Sequence, residues 1–213
     1  ALENRLQKPP AVKLGVLLPF MNKSEQIGGR DREIGTSILE GIELAVDEYH
    51  RTAQSGSTVT IEKLNTERES STAITAARNL ADDPAVIAII GPAFSNNATA
   101  TSVVATEKQI PMITPTANAN GIAASSEFMF QANPDLATRA KAMAQYAVRS
   151  LKLKRLGVLA SSELSSTILA EAFVTEVRRL GAEAIGIEWY AKGTTNLTKQ
   201  LTSLRKKGNA AAQ

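Results

Sequence analysis

Five apolar, mostly β-branched residues, Val86-Ile-Ala-Ile-Ile90, run straight into Gly91-Pro92. Such a run reads as a strand buried on both faces, and the Gly-Pro pair ends it in a turn. Ser95 stands where it can cap a helix over Ala98 to Lys108, after which Pro111 to Thr114 reads as a second strand. In a right-handed β-α-β crossover both strands point the same way. Thr116, Ala117 and Asn118 therefore emerge beside Ser95 at one edge of a parallel sheet. In open α/β sheets, ligands bind outside the carboxyl ends of strands, and a helix N-terminus there favours an anionic group.

The chain on either side repeats this grammar. Val12 to Leu18 reads as the first strand, stopped by Pro19, with a polar loop running through Gly28-Gly29 to Gly35. From Ser37 the residues Ile38, Ile42, Ala45, Val46 and Tyr49 recur at helical spacing and predict an inward stripe. Ser57 to Leu64 reads as a strand, and Ser70 to Asp83 as a helix with Ile74, Ala77 and Leu80 inward. Phe128 to Phe130 predicts another short strand, and Pro134 opens a helix with Ala140, Met143, Ala144 and Ala147 inward. Leu156 to Ala160 and Ala182 to Trp189 read as strands around a helix from Ser165 to Leu180, which Gly181 stops. Thr194-Thr-Asn196 caps a last helix with Leu197, Leu201 and Leu204 inward and Arg205-Lys-Lys207 at its C-terminus.

The alternation predicts an α/β fold of two Rossmann-like, doubly wound parallel-sheet lobes, the second only partly present. Residues 1–11 read as a leader or linker, 12–125 as the first lobe, and 126–213 as a crossover and the opening part of the second. A β-α-β-α unit without further strands leaves apolar edges uncovered, so the natural polypeptide is expected to continue.

Composition removes several functions. With 24 Lys plus Arg against 21 Asp plus Glu and no long basic block, nucleic acid is not an expected partner. No apolar run approaches the roughly 20 residues that span a bilayer. The absence of Cys removes thiolate metal sites, Cys nucleophiles and disulfides, and one His, His50, leaves no Ser-His-Asp triad; His50 reads as a solvated surface residue. Asp47-Glu48 and Asp82-Asp83 read as solvated helix ends without a nucleophile or metal partner. A nucleotide-binding Rossmann domain would need Gly-x-Gly-x-x-Gly or a P-loop after the first strand, and Pro19-Phe-Met-Asn22 is neither. A sugar-responsive repressor would need a helix-turn-helix before Pro9, for which the preceding residues are too few. No catalytic residue, metal or cofactor is expected.

Taken in order, Lys13-Leu-Gly-Val-Leu-Leu-Pro19, Glu40-Gly-Ile-Glu-Leu-Ala-Val-Asp-Glu48, Ile87 to Ser95, Pro111-Met-Ile-Thr-Pro115, Phe130-Gln-Ala-Asn-Pro-Asp135 and Lys192 to Leu204 form a recognisable set. The chain resembles the type I periplasmic-binding-protein fold, specifically the branched-chain amino acid binding proteins of ABC importers. The resemblance implies two α/β lobes that close on a small molecule, in a periplasmic or membrane-anchored protein that delivers to a membrane permease or sensor. By position it places the carboxylate contact on Ser95 and backbone and hydroxyl contacts on Thr116, Ala117 and Asn118. Ile34, Gly35 and Ser165 fall at the positions of further wall residues.

Four sites depart from the family pattern. Ile34 precedes Gly35 where amino-acid binders commonly carry an aromatic, Ser165-Ser166 stands for a Tyr-Gly pair, and Gln131 stands for an Arg; Asn118 replaces the usual Thr. A related group of envelope proteins carries the same fold as an accessory lobe and shares the Leu17-Leu-Pro-Phe20 strand end. The resemblance thus leaves a second expectation open, a protein-binding platform with a degenerate pocket.

Overall fold

The structure is a computed structural model that describes residues 11–21, 29–53 and 58–210. Its contacts divide into two compact units, the first up to Asn133 and the second from Pro134.

The first unit is a five-stranded sheet in the order β2-β1-β3-β4-β5, every pair parallel. Its strands are β1 (Val12–Leu18), β2 (Val59–Asn65), β3 (Val86–Ile90), β4 (Met112–Thr114) and β5 (Met129–Gln131). The helices α1 (Gly29–Thr52), α2 (Ser70–Asp82) and α3 (Ser95–Lys108) connect them. Strand order reverses direction between β1 and β3, the place where a doubly wound sheet opens its crevice. One face buries Leu17, Leu80, Ile89, Met112 and Met129 with Val104; the other packs Val16, Leu18 and Ala93 against Ile34, Ile38 and Ile42 of α1. This two-sided burial is what a near-continuous apolar β1 predicts.

Two glycines set the close approaches at the carboxyl edge. A Cβ on Gly91 would lie 2.0 Å from the Leu17 carbonyl oxygen, and its φ of +121° suits glycine alone. A Cβ on Gly35 would lie 2.6 Å from the Pro19 oxygen, so α1 can seat directly on the end of β1.

Several expectations are corrected here. Helix α1 begins at Gly29 and not near Ser37: Arg32 donates to the Phe20 and Met21 carbonyls, which fastens the first turn to the end of β1. Gly35 is therefore helical; Asn22 to Gly28 of the expected loop lie outside the described residues. Ala45 and Tyr49 are exposed, because α1 covers the sheet only along its Ile34–Ile38–Ile42 line. Helix α3 starts at Ser95, three residues earlier than expected, with Phe94 as an extended N-cap residue. Of the two acidic pairs, Asp47, Glu48 and Asp82 are exposed as expected, while Asp83 is half-buried and accepts from Lys13 at 2.6 Å. His50 is exposed, yet its Nε2 accepts the Val59 N–H at 3.0 Å and so joins α1 to the start of β2.

The second unit holds α4 (Leu136–Gln145), β6 (Arg155–Ser161), α5 (Leu164–Arg179), β7 (Glu183–Tyr190) and α6 (Thr198–Ala210), with β6 and β7 parallel. Asp135 caps α4 by accepting the Thr138 N–H at 2.7 Å, and one π-helical turn, Tyr146–Ser150, extends it. Leu136, Ala140, Ala144 and Ala147 are buried, but Met143 is 60% and Leu201 is 54% exposed. The inward reading of Met143 and Leu201 is thereby corrected, since no described element covers these two positions. Helix α6 runs on through Gly208 to Ala210, so Arg205-Lys-Lys207 lies within it and only Lys207 falls in its last turn.

Candidate functional site

The carboxyl ends of β3, β4 and β5 are tied to one another by side chains. Thr114 Oγ1 donates to the Pro92 carbonyl at 2.7 Å, and Thr116 Oγ1 to the Ala93 carbonyl at 2.7 Å. Gln131 Nε2 donates to the Ala117 and Ala119 carbonyls at 3.0 and 3.3 Å, and Asn133 Nδ2 to the Thr116 carbonyl at 2.9 Å. The loop after β4 thus has its backbone fixed from both flanking strands, as preorganisation of a binding loop requires. Where the family pattern has an Arg, Gln131 serves as this brace.

Ser95 occupies the centre. It is the first helical residue of α3, not its cap, and its Oγ accepts the N–H groups of Asn118 and Ala119, both at 3.2 Å. A hydroxyl has two acceptor lone pairs and one donor hydrogen. With both acceptors engaged, the O–H is the remaining capability, and among the described residues no acceptor takes it. Beside it the first-turn N–H groups of α3 lack intrahelical partners, and the helix dipole is positive there. The arrangement therefore presents donors to an incoming acceptor.

Thr116 has the opposite polarity. Its hydrogen is committed to Ala93, so the exposed hydroxyl can only accept. Asn118 is half-buried, and its side-chain amide makes no hydrogen bond among the described residues. Ala117 is buried, with its carbonyl held by Gln131. Ile34 lies half-buried in the cluster around Val16, Leu18 and Ala93, and Gly35 is pressed on Pro19; both shape the wall rather than present polar atoms. Ser165 belongs to the second unit. It is the second residue of α5, exposed, while Ser166 Oγ accepts from Ser161 Oγ at 2.7 Å.

Arg68 and Phe94 are the residues that sequence reasoning missed. Arg68 follows β2, its guanidinium stacks 4.6 Å from the Phe94 ring centroid, and its Nη1 donates to Asp31 in the first turn of α1. The signal available was topological: the turn after β2 opens at the same sheet edge as the turn after β3.

The groups whose protonation the fold moves sit in ion pairs. Asp83 is held below the usual carboxylate range by the Lys13 ammonium and the Ala85 N–H, and Lys13 is raised by Asp83 and Glu62. Glu176 is lowered to about 2 by the Arg179 guanidinium, then by the Gln145 amide. Glu188 is lowered by Lys207 and Ser203, and Lys192 is raised by Glu163. Among the described residues there is no group of three or more His, Cys, Asp or Glu able to hold a metal ion, and no helix long and apolar enough to cross a membrane.

No curated protein matches the chain. Among solved structures, one from Rhodospirillum rubrum, assigned to a branched-chain amino acid ABC transporter, superposes with a TM-score of 0.83 at 20% identity, over 93% of this chain and 56% of its own. The leucine binding protein LivK of Thermotoga maritima gives 0.61 at 26% identity, over 93% and 54%. The branched-chain amino acid transporter substrate binding protein LivJ of Streptococcus pneumoniae, in complex with isoleucine, gives 0.65 at 23%, over 92% and 54%. The chain spans about half the length of these structures. The periplasmic binding protein family matches across residues 11–212, and the chain belongs to that family.

Proposed function

We propose that the chain is the ligand-capturing part of an extracytoplasmic solute-binding protein serving an ABC importer or sensor, and that its ligand is a small amino-acid-like acid. The observation that carries the reading is the committed polarity of two hydroxyls. Ser95 has only a donor left, next to the positive end of α3, which suits a carboxylate. Thr116 has only acceptors left, which suits an ammonium or hydroxyl of the same ligand. Asn118 supplies an amide able to do either, while Ala117, Ile34 and Gly35 hold the wall. Ser165 is a further contact implied by family position alone. The reading assigns no reaction, cofactor or metal.

The test is calorimetric titration and thermal shift of the full-length protein with amino acids and short organic acids, with Ser95→Ala alongside. A ligand at a hundred times its Kd stabilises by about 2.7 kcal/mol. The expected result is a Tm rise with an α-amino acid or related acid that Ser95→Ala abolishes. Absence of any rise in a folded protein would overturn the reading and favour a protein-binding platform. One observation supports that second reading: Ile113 and Phe130, register partners on β4 and β5, are both exposed.

A further inference from the structure

The turn after β2 is shaped at some cost. Glu67 and Arg68 have φ of +47° and +60°, a left-handed conformation that non-glycine residues adopt rarely. The result is a guanidinium laid on the Phe94 ring at 4.6 Å and fixed by the buried Asp31 carboxylate. A guanidinium has five N–H donors, and one of its nitrogens, Nη1, serves Asp31. More than half of the side chain stays exposed, so donors remain for another acceptor.

Arg68, Phe94, Ser95, Asn96 and Asn97 line a cleft of about 200 Å³. The cleft sits on the first turn of the 14-residue helix α3, with its unpaired N–H groups. Asn97 adds an independent sign. Its side chain is buried, with the residue 1% exposed, and neither Oδ1 nor Nδ2 has a hydrogen-bond partner among the described residues. A buried amide left unpaired is unfavourable, and native folds rarely retain one without a use. Two kinds of donor therefore meet in one small space, a fixed guanidinium and helix N–H groups, and the residue that carries the unpaired amide, Asn97, belongs to its lining.

We propose that this cleft is a second anion subsite and that the ligand is a small organic acid with two acidic groups. Ser95 and the first turn of α3 hold one carboxylate, and Arg68 holds the other. The inference rests on the carboxylate role of Ser95 proposed above. Phe94 and Asp31 act as positioning residues, because they fix the guanidinium plane and leave its free edge turned to the ligand. A planar fork suits a carboxylate in bidentate geometry, which a flexible ammonium would not reproduce.

The experiment is calorimetric titration of the full-length protein with pairs of equal carbon count: L-glutamate against L-norvaline, and succinate against butyrate. In the wild type each diacid is expected to bind roughly tenfold or more tightly than its monoacid, the range of one charge-assisted contact. Arg68→Gln should remove that preference by weakening each diacid far more than its monoacid. Arg68→Lys should restore part of it, and Ser95→Ala should weaken both members of each pair. Equal affinities in the wild type, with monoacid binding still lost in Ser95→Ala, would overturn the second subsite and leave the role of Ser95 standing. No binding of any of the four acids to the folded protein would overturn both.

Discussion

The two units are written in the same β-α alternation but use it differently. In the first, β1 has a neighbour on each side, β2 and β3, and Val16, Leu17 and Leu18 are fully buried. In the second, among the described residues, β6 pairs with β7 alone, and no residue of either strand is fully buried. Their carboxyl edges differ in the same way. Hydroxyls in the first unit bond to backbone 22 to 24 residues away, as Thr114, Thr116 and Ser95 do. At the end of β6, the Ser161 hydroxyl bonds, among the described residues, to Ser166, five residues on. Parallel strands acquire a core, and a binding edge acquires fixed polarity, from the neighbours on both sides rather than from the local sequence.

Core substitution tests the first half of that statement with the largest effect. Leu17→Ala removes a fully buried side chain from the cluster that holds Leu80, Ile89 and Met112, and is expected to cost about 2–5 kcal/mol. Leu159→Ala, at a half-buried position of β6, should cost less than half as much. Urea unfolding at constant m-value measures both, and equal costs would break the contrast between the strands.

The edges are separated by a smaller effect. Ser95→Ala leaves two backbone N–H groups, those of Asn118 and Ala119, without their acceptor, at a cost of about 1–3 kcal/mol in the absence of any ligand. Ser165→Ala removes an exposed hydroxyl with no described partner and should stay within about 0.5 kcal/mol of wild type. Chemical denaturation of the ligand-free proteins reads the difference. A harmless Ser95→Ala would mean that the loop after β4 keeps its shape without the serine.

Much of this was legible in the sequence, and the remainder shows which physical information a sequence withholds. The strand at Val12–Leu18 matches its expected span, because an apolar run between a polar segment and Pro19 leaves little choice. The encounter of Ser95 with Thr116 to Asn118 followed from the crossover rule alone. The start of α1 was hidden because Gly28-Gly29 reads as loop, whereas Arg32 secures that turn to the Phe20 and Met21 carbonyls just past β1, 12 and 11 residues earlier. Ser95 reads as a cap locally, and only the fold brings Asn118 and Ala119 to its oxygen. The stripes of α4 and α6 announced apolar faces but not their cover, so Met143 and Leu201 stand exposed. Arg68 was invisible for a related reason: a stack on Phe94 and a pair with Asp31 join three distant turns.

The smallest effect concerns the charge that holds α4 against α5 in the second unit. Glu176 Oε1 accepts from Gln145 at 2.9 Å, and the carboxylate takes two hydrogen bonds from Arg179 at 2.6 and 2.7 Å. These partners favour the ionised form and lower its folded-state value from 4.5 to about 2. A lowered carboxylate adds stability above its unfolded value and loses it as the folded value is passed. The contribution is thus complete above about pH 4.5 and disappears as pH falls towards 2. Glu176→Gln keeps an acceptor for Arg179 but removes the charge, so its Tm should lie slightly below that of wild type at neutral pH. The gap should close through that acidic window. In the first unit Asp83 is lowered by Lys13 in the same direction, so an Asp83→Asn variant should show the same sign of dependence. A Glu176→Gln gap that stays constant from pH 7 to pH 3 would show that packing of the side chain, and not its charge, joins the two helices.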